Sequence, residues 1–167
     1  IAETDINPLL VTSERISALD ARVVLHDLKT SEDKLPRPAI RPYPIQYATP
    51  WKLKDRTPAV IRPIKPEDEP LMVKFHETLS EESVYSRYFA KLKLSQRVAH
   101  ERLTRICFND YDREIALVAE LKPAKGEETG TIMGVGRLSK LAETNEGEFA
   151  VLVSDAWHGQ GLGTELL

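Results

Sequence analysis

The residues best placed to do chemistry lie at the end of the chain, in "EFAVLVSDAWHGQGLGTELL" (148–167). Gly159, Gly161 and Gly163 alternate between an apolar run and the opening of a helix near Leu162. A strand, a glycine-rich turn and a helix start make an anion site. The first amides of a helix have no acceptor within it and carry the positive end of its dipole. Glycine lets the backbone come close to a ligand and adopt positive φ. Three alternating glycines in this context point to phosphate. The familiar phosphate loops fit badly. A dinucleotide loop needs a third glycine at the position of Thr164 and an acid about 20 residues further on. A P-loop needs a lysine, and none follows Gly163. Glu148 and Glu120 are carboxylates at strand ends; taken alone, Glu148 after Gly147 is a turn-edge residue. Four histidines, His26, His76, His100 and His158, share no metal-ligand spacing.

The elements that must position this loop follow from proline, glycine and hydrophobic periodicity. All eight glycines lie at or beyond Gly126, and eight of eleven prolines fall between Pro36 and Pro66. The stretch "KLPRPAIRPYPIQYATP" (34–50) therefore reads as an extended linker, with Tyr43, Ile45 and Tyr47 alternating against a surface. Before it, "INPLLV" and "ARVVLHDL" predict short strands, roughly 6–11 and 19–26, around a turn at "TSERIS". After it, "PAVIRPI" (58–64) predicts a strand. Residues 66–79 predict a helix with acids in its first turn. Ser80 caps a second helix, and Ser95 a third carrying Val98, Ala99, Leu103 and Ile106. Strands are expected at 113–121, covered on both faces, and at 129–140 and 147–154, joined by tight turns at "KPAKGEE" and "ETNEG". The result is α+β, with helices packed on a mostly antiparallel sheet.

Composition narrows the class. With 41% apolar and 29% charged residues and a net charge of −3, the 167-residue chain has no general electrostatic reason to bind nucleic acid or an anionic membrane. No apolar run approaches the ~18 residues of a membrane span. Cys107 is alone, so it forms no internal disulfide; a buried thiol in a reducing, cytoplasmic compartment is expected.

The motif "HGQGLG" resembles the pyrophosphate loop of the GNAT family of N-acetyltransferases, Gln/Arg-x-x-Gly-x-Gly/Ala. His158 replaces the first residue, and Gly161 and Gly163 match the fourth and sixth. "VIRPIKPEDEP", "QRVAHERLTRICFNDYDREIALVAEL" and "EFAVLVSDAWHGQGLG" resemble the GNAT domain of bacterial protein lysine acetyltransferases. In those proteins the domain is fused to an NDP-forming acyl-CoA synthetase-like region. "ETDINPLLV…ALDARVVL" is similar to the end of that region's ATP-grasp domain, where the matching asparagine and aspartate bind magnesium. The resemblance implies three parts: an ATP-grasp remnant at 1–28, a linker at 29–57 and a GNAT domain at 58–167. It also implies that both ends are cut points and that the GNAT fold is C-terminally truncated.

On this resemblance, Leu152, Val153, His158, Gly159, Gln160, Gly161, Leu162, Gly163 and Thr164 hold acetyl-CoA, with a backbone amide of the pre-loop strand stabilising the oxyanion. Glu148 is the general base, with Glu120 in reserve. Asn7 and Asp20 are expected magnesium ligands for Mg-ATP. The acceptor is expected to be a protein lysine, including that of acyl-CoA synthetases. Two other readings stay open: a synthetase (ligase) whose GNAT-like part senses acyl-CoA, and a small-molecule N-acetyltransferase. A catalytic phosphohistidine region upstream would favour the ligase.

Overall fold

The computed structural model describes residues 1–31, 34–36, 41–123, 129–142 and 144–167. The chain forms two compact units, Ile1–Ala39 and Ile40–Leu167.

The first unit is an interrupted hairpin. Strand β1 (Glu3–Ile6) pairs antiparallel with β4 (Ala21–Val24), and β2 (Leu9–Val11) with β3 (Ile16–Ala18). The turn is built by Thr12, whose Oγ1 accepts from the amides of Glu14 and Arg15. Two continuous strands were expected here. The ladder breaks at Asn7–Pro8 and Leu19–Asp20 because proline has no N–H to give it.

The second unit carries a five-stranded antiparallel sheet in the order β5-β6-β7-β8-β9. Its strands are β5 (Thr49–Lys52), β6 (Pro58–Pro63), β7 (Glu114–Leu121), β8 (Thr131–Lys140) and β9 (Gly147–Val153). The three-strand meander is as expected, to within two residues at each end. Of the connecting turns, residues 124–128 and 143 lie outside the described residues. Strand β5 corrects the linker reading: part of the proline-rich stretch belongs to the sheet. Tyr43 does lie against the surface, its Oη donating to the Pro63 carbonyl at 2.8 Å. Ile45 and Tyr47 are exposed, because the 3-10 turn Ile45–Tyr47 ends the alternation.

Between β6 and β7 run α1 (Glu69–Glu77), α2 (Glu81–Tyr88), α3 (Leu94–Arg97) and α4 (His100–Cys107). Ser80 caps α2, accepting from the Ser83 amide. The single helix expected from Ser95 is instead two. Arg97 is buried and donates to the His76 carbonyl at 2.7 Å, which holds α3 against α1. The chain then turns at Val98–Ala99 so that Leu103 and Cys107 enter the core.

Strand β7 is covered on both faces, as its continuous apolar run requires. Ala116 and Val118 join Ile64, Met72, Phe75 and Leu103 under the helices. Ala119 joins Ile61, Met133, Leu162 and Leu166 on the other face. Leu162 and Leu166 anchor the short α5 (Leu162–Glu165) to the sheet. A Cβ at Gly136 would stand 2.7 Å from the Leu166 carbonyl, so this close approach of α5 to β8 needs glycine. Cys107 is 1% exposed, and burial together with the charges of Asp68 and Glu69 pushes its thiol up to about 12. The thiol is buried, as expected. Among the described residues no helix is long and apolar enough to cross a membrane.

Candidate active site

The core fixes β9 at the edge of the sheet, paired only with β8 among the described residues. A cleft of about 740 Å³ follows this free edge, between α2 and the glycine loop. Glu148 lines one end of it and Gly159, Gly161 and Gly163 the other. Val153 lies five residue steps along the strand from Glu148, a span of roughly 17 Å at the usual rise per residue.

The loop leaves β9 through buried Ser154, whose amide bonds to the Met133 carbonyl at 2.8 Å, and a 3-10 turn at Asp155–Trp157. Gly159 has φ +73° and Gly161 φ +93°. Gly161 is the residue immediately before α5, so the left-handed turn delivers the chain directly into the helix start. A Cβ at Gly159 or Gly163 would meet nothing within 4 Å. The glycines thus leave open space in front of the helix-start amides. An open helix entry of this kind, a cradle, suits an anion such as a pyrophosphate.

The remaining expected residues divide. Leu152 and Val153 line the cleft. Leu162 is buried in the core, so only its backbone faces the cradle. Gln160 and Thr164 stand outside the cleft lining. His158 lines it, but its Nε2–H donates to the Val153 carbonyl at 3.0 Å. The imidazole therefore closes the loop back onto the strand. Glu148 is exposed, opposite Ser139 across the β8–β9 ladder. Glu120 is a structural residue: Arg62 Nε donates to it at 2.6 Å while the same guanidinium holds Asp68 with two bonds of 2.7 Å. It lines no part of the cleft.

Two contributors had no signal in the sequence. Lys54 Nζ donates to the Gly159 carbonyl, setting a cation beside the cradle. Asp155 clamps the loop to α2. Its carboxylate accepts from the Ser80 amide at 2.8 Å, Ser80 Oγ at 2.7 Å and Ser83 Oγ at 2.9 Å. Slight desolvation, which would raise its pKa, is outweighed by these bonds and by the nearness of His158. The carboxyl sits at about 2. A depressed folded-state pKa stabilises above the unfolded value of ~3.9 and is lost as pH falls through the folded one. Between about pH 4 and pH 2, Asp155→Asn should therefore lose less stability than the wild type. At neutral pH its Tm should be lower by a few degrees, as expected for loss of charge-assisted bonds. Thermal melts of both proteins across that window check this; parallel curves would remove Asp155 as a clamp.

In the first unit, Asn7 and Asp20 fall in the break between the two ladders, flanked by the pairs Ile6–Ala21 and Leu9–Ala18. Asp20 Oδ1 accepts from its neighbour's amide, Ala21 N–H. Among the described residues no group of three or more histidines, cysteines or carboxylates could hold a metal ion.

The antiparallel sheet, the cleft along its open edge strand and the family match below together make this an acyltransferase domain that takes an acyl-CoA as co-substrate. Residues 59–167 match the acetyltransferase (GNAT) domain family, and the chain belongs to that family. It is similar to the GNAT domain of S. lividans PAT in the crystal, with 28% identity and a TM-score of 0.62. That likeness covers 75% of this chain and 70% of the other. A cAMP-binding acyltransferase from Mycobacterium smegmatis shares 20% identity at a TM-score of 0.40. There the match covers 72% of this chain and 32% of the other.

Proposed function

We propose that the protein transfers the acetyl group of acetyl-CoA to a lysine side chain of a protein substrate. One observation carries the reading: Glu148 and the glycine cradle line the same cleft, at opposite ends of one edge strand. The likeness to PAT and the sequence resemblance to protein lysine acetyltransferases support the choice of acceptor.

The residues act as follows. The amides from Gly159 to Thr164 hold the pyrophosphate, with Lys54 adding charge beside them. The acyl arm lies along β9, where the backbone amide of Val153, on the free edge, stabilises the developing oxyanion. A lysine amine has a pKa near ~10.4 and must lose a proton before it attacks. Glu148 takes that proton, directly or through one water. The amine nitrogen then bonds to the thioester carbonyl carbon, the carbon–sulfur bond breaks with its electron pair going to sulfur, and the second proton on the nitrogen passes to the departing thiolate. Metal ions take no part in these steps.

The test is acetyl transfer from acetyl-CoA to a lysine peptide, in competition with small primary amines such as polyamines and free amino acids. The acetyl group should appear on lysine Nε of the peptide, located by fragmentation mass spectrometry. Faster transfer to any of the small amines, judged by kcat/KM, would overturn the protein acceptor in favour of a small-molecule one.

A further inference from the structure

A second basin opens beside the cleft. It encloses about 590 Å³ between α2, α4 and the face of β8 and β9. Ala150, Leu152 and Arg87 line both hollows, so the two are continuous along the strand that carries the proposed base. The basin wall is cationic. Arg87, Arg102, Arg105 and Arg137 line it against only Glu101 and Glu114. Arg137 is satisfied: it pairs with Glu114 at 2.6 Å and donates to the Ile106 carbonyl. Arg87, Arg102 and Arg105 form no ion pair among the described residues.

Two of these guanidiniums are held in place without a counter-charge. Arg87 and Arg102 stand 5.1 Å and 5.0 Å from the centre of the Tyr88 ring. Stacking of this kind orients an arginine fork while leaving its N–H groups free to bind. Arg102 Nε is buried with no acceptor. His76, 1% exposed, also lines the basin, and neither of its ring nitrogens has a partner. Burial, followed by the charges of Arg97 and Arg102, lowers its pKa to about 4, so it stays neutral and adds no cation of its own. Buried donors without acceptors are costly, and uncompensated guanidinium is among the costliest. A ligand carrying carboxylates supplies what this wall lacks, and arginine forks bind carboxylate with paired hydrogen bonds.

We infer that the basin is a specificity site for the acceptor: it binds acidic residues flanking the target lysine, so that the preferred substrate is a lysine in an acidic segment. The inference rests on the lysine-acceptor reading above. The basin adjoins β9 on the side of α2 and α4, away from the glycine cradle, so an acceptor segment seated there leaves the acetyl-CoA end of the cleft open.

The experiment uses two lysine peptides that differ only in having aspartate and glutamate, or alanine, on either side of the lysine. In the wild type the acidic peptide should have a KM about tenfold lower, with a preference that shrinks as salt rises. Arg102→Gln should remove most of that preference, and Arg105→Gln, at an exposed position that tolerates change, should reduce it. Neither should alter the KM for acetyl-CoA or the rate on the alanine peptide. Equal KM values for the two peptides in the wild type would overturn the inference. So would a preference unchanged in both variants, or competition by free glutarate as effective as that by the acidic peptide, which would assign the basin to a small dicarboxylate. If neither peptide is acetylated, the lysine reading falls, and fluorescence anisotropy of the labelled acidic peptide then decides the basin alone. Binding that is lost in Arg102→Gln and Arg105→Gln supports it; no binding to the wild type overturns it.

Discussion

Glu148→Gln should lower acetyl transfer at neutral pH by about 10²–10⁴-fold, the range a positioned general base supplies. Acetyl-CoA binding should hardly change, because the cradle lies at the other end of β9, roughly 17 Å away by strand rise. Glutamine keeps the shape of the side chain and removes only its ability to accept a proton. The defect should shrink as pH rises towards the ~10.4 of the free amine, where lysine no longer needs a base. Single-turnover rates across pH, with acetyl-CoA affinity measured separately, check both parts. Near-normal turnover at pH 7 would remove Glu148 from the mechanism. Glu120→Gln makes the contrast: it should lower stability through the partly buried Arg62 network and leave the pH profile alone.

Gly161→Val should abolish acetyl-CoA binding. The cause is conformational. A Cβ here would meet nothing nearer than Trp51 at 3.9 Å, so the site has room for it. The backbone, however, stands at φ +93°, which a β-branched residue strongly resists. Valine must turn the chain out of that region, and the amides that open α5 then no longer face the pyrophosphate. Its methyl groups would also occupy the space a phosphate must enter. His158→Ala is the mild counterpart. It loses a bond from the loop to the Val153 carbonyl, not the cradle itself, and should weaken binding only modestly. Thermal-shift titration with acetyl-CoA reads both. Saturable stabilisation that survives Gly161→Val would sink the loop assignment.

Much of this arrangement was legible because it is local. Hydrophobic runs between glycine and proline mark β6 to β9 within a residue or two. Ser80 announces the start of α2, and three alternating glycines announce a left-handed entry into a helix. These signals depend on backbone conformations and periodicities that neighbouring residues impose on one another. Glu148 is visible in the same way, as the head of a strand that ends in the loop.

What tertiary structure decided involves residues distant in sequence. Nothing in "TPWK" marks β5 as a sheet strand; its pairing with β6 does. The helix read from Ser95 breaks because buried Arg97 reaches back 21 residues to a carbonyl of α1. Glu120 and Glu148 both stand near the ends of apolar strands, and sequence alone treats them as alternatives. Only folding sets Arg62 and Asp68 against the first and leaves the second open in the cleft. Asp155 bonds to serines more than 70 positions earlier, and the arginines of α2 and α4 converge on one basin only once both helices pack on the sheet. Charge and hydrogen-bonding partners act through space, whereas periodicity acts along the chain. The sequence alone therefore showed where a glycine-rich helix entry and a strand-head carboxylate lie, and packing decided which carboxylate lines the cleft and what surrounds it.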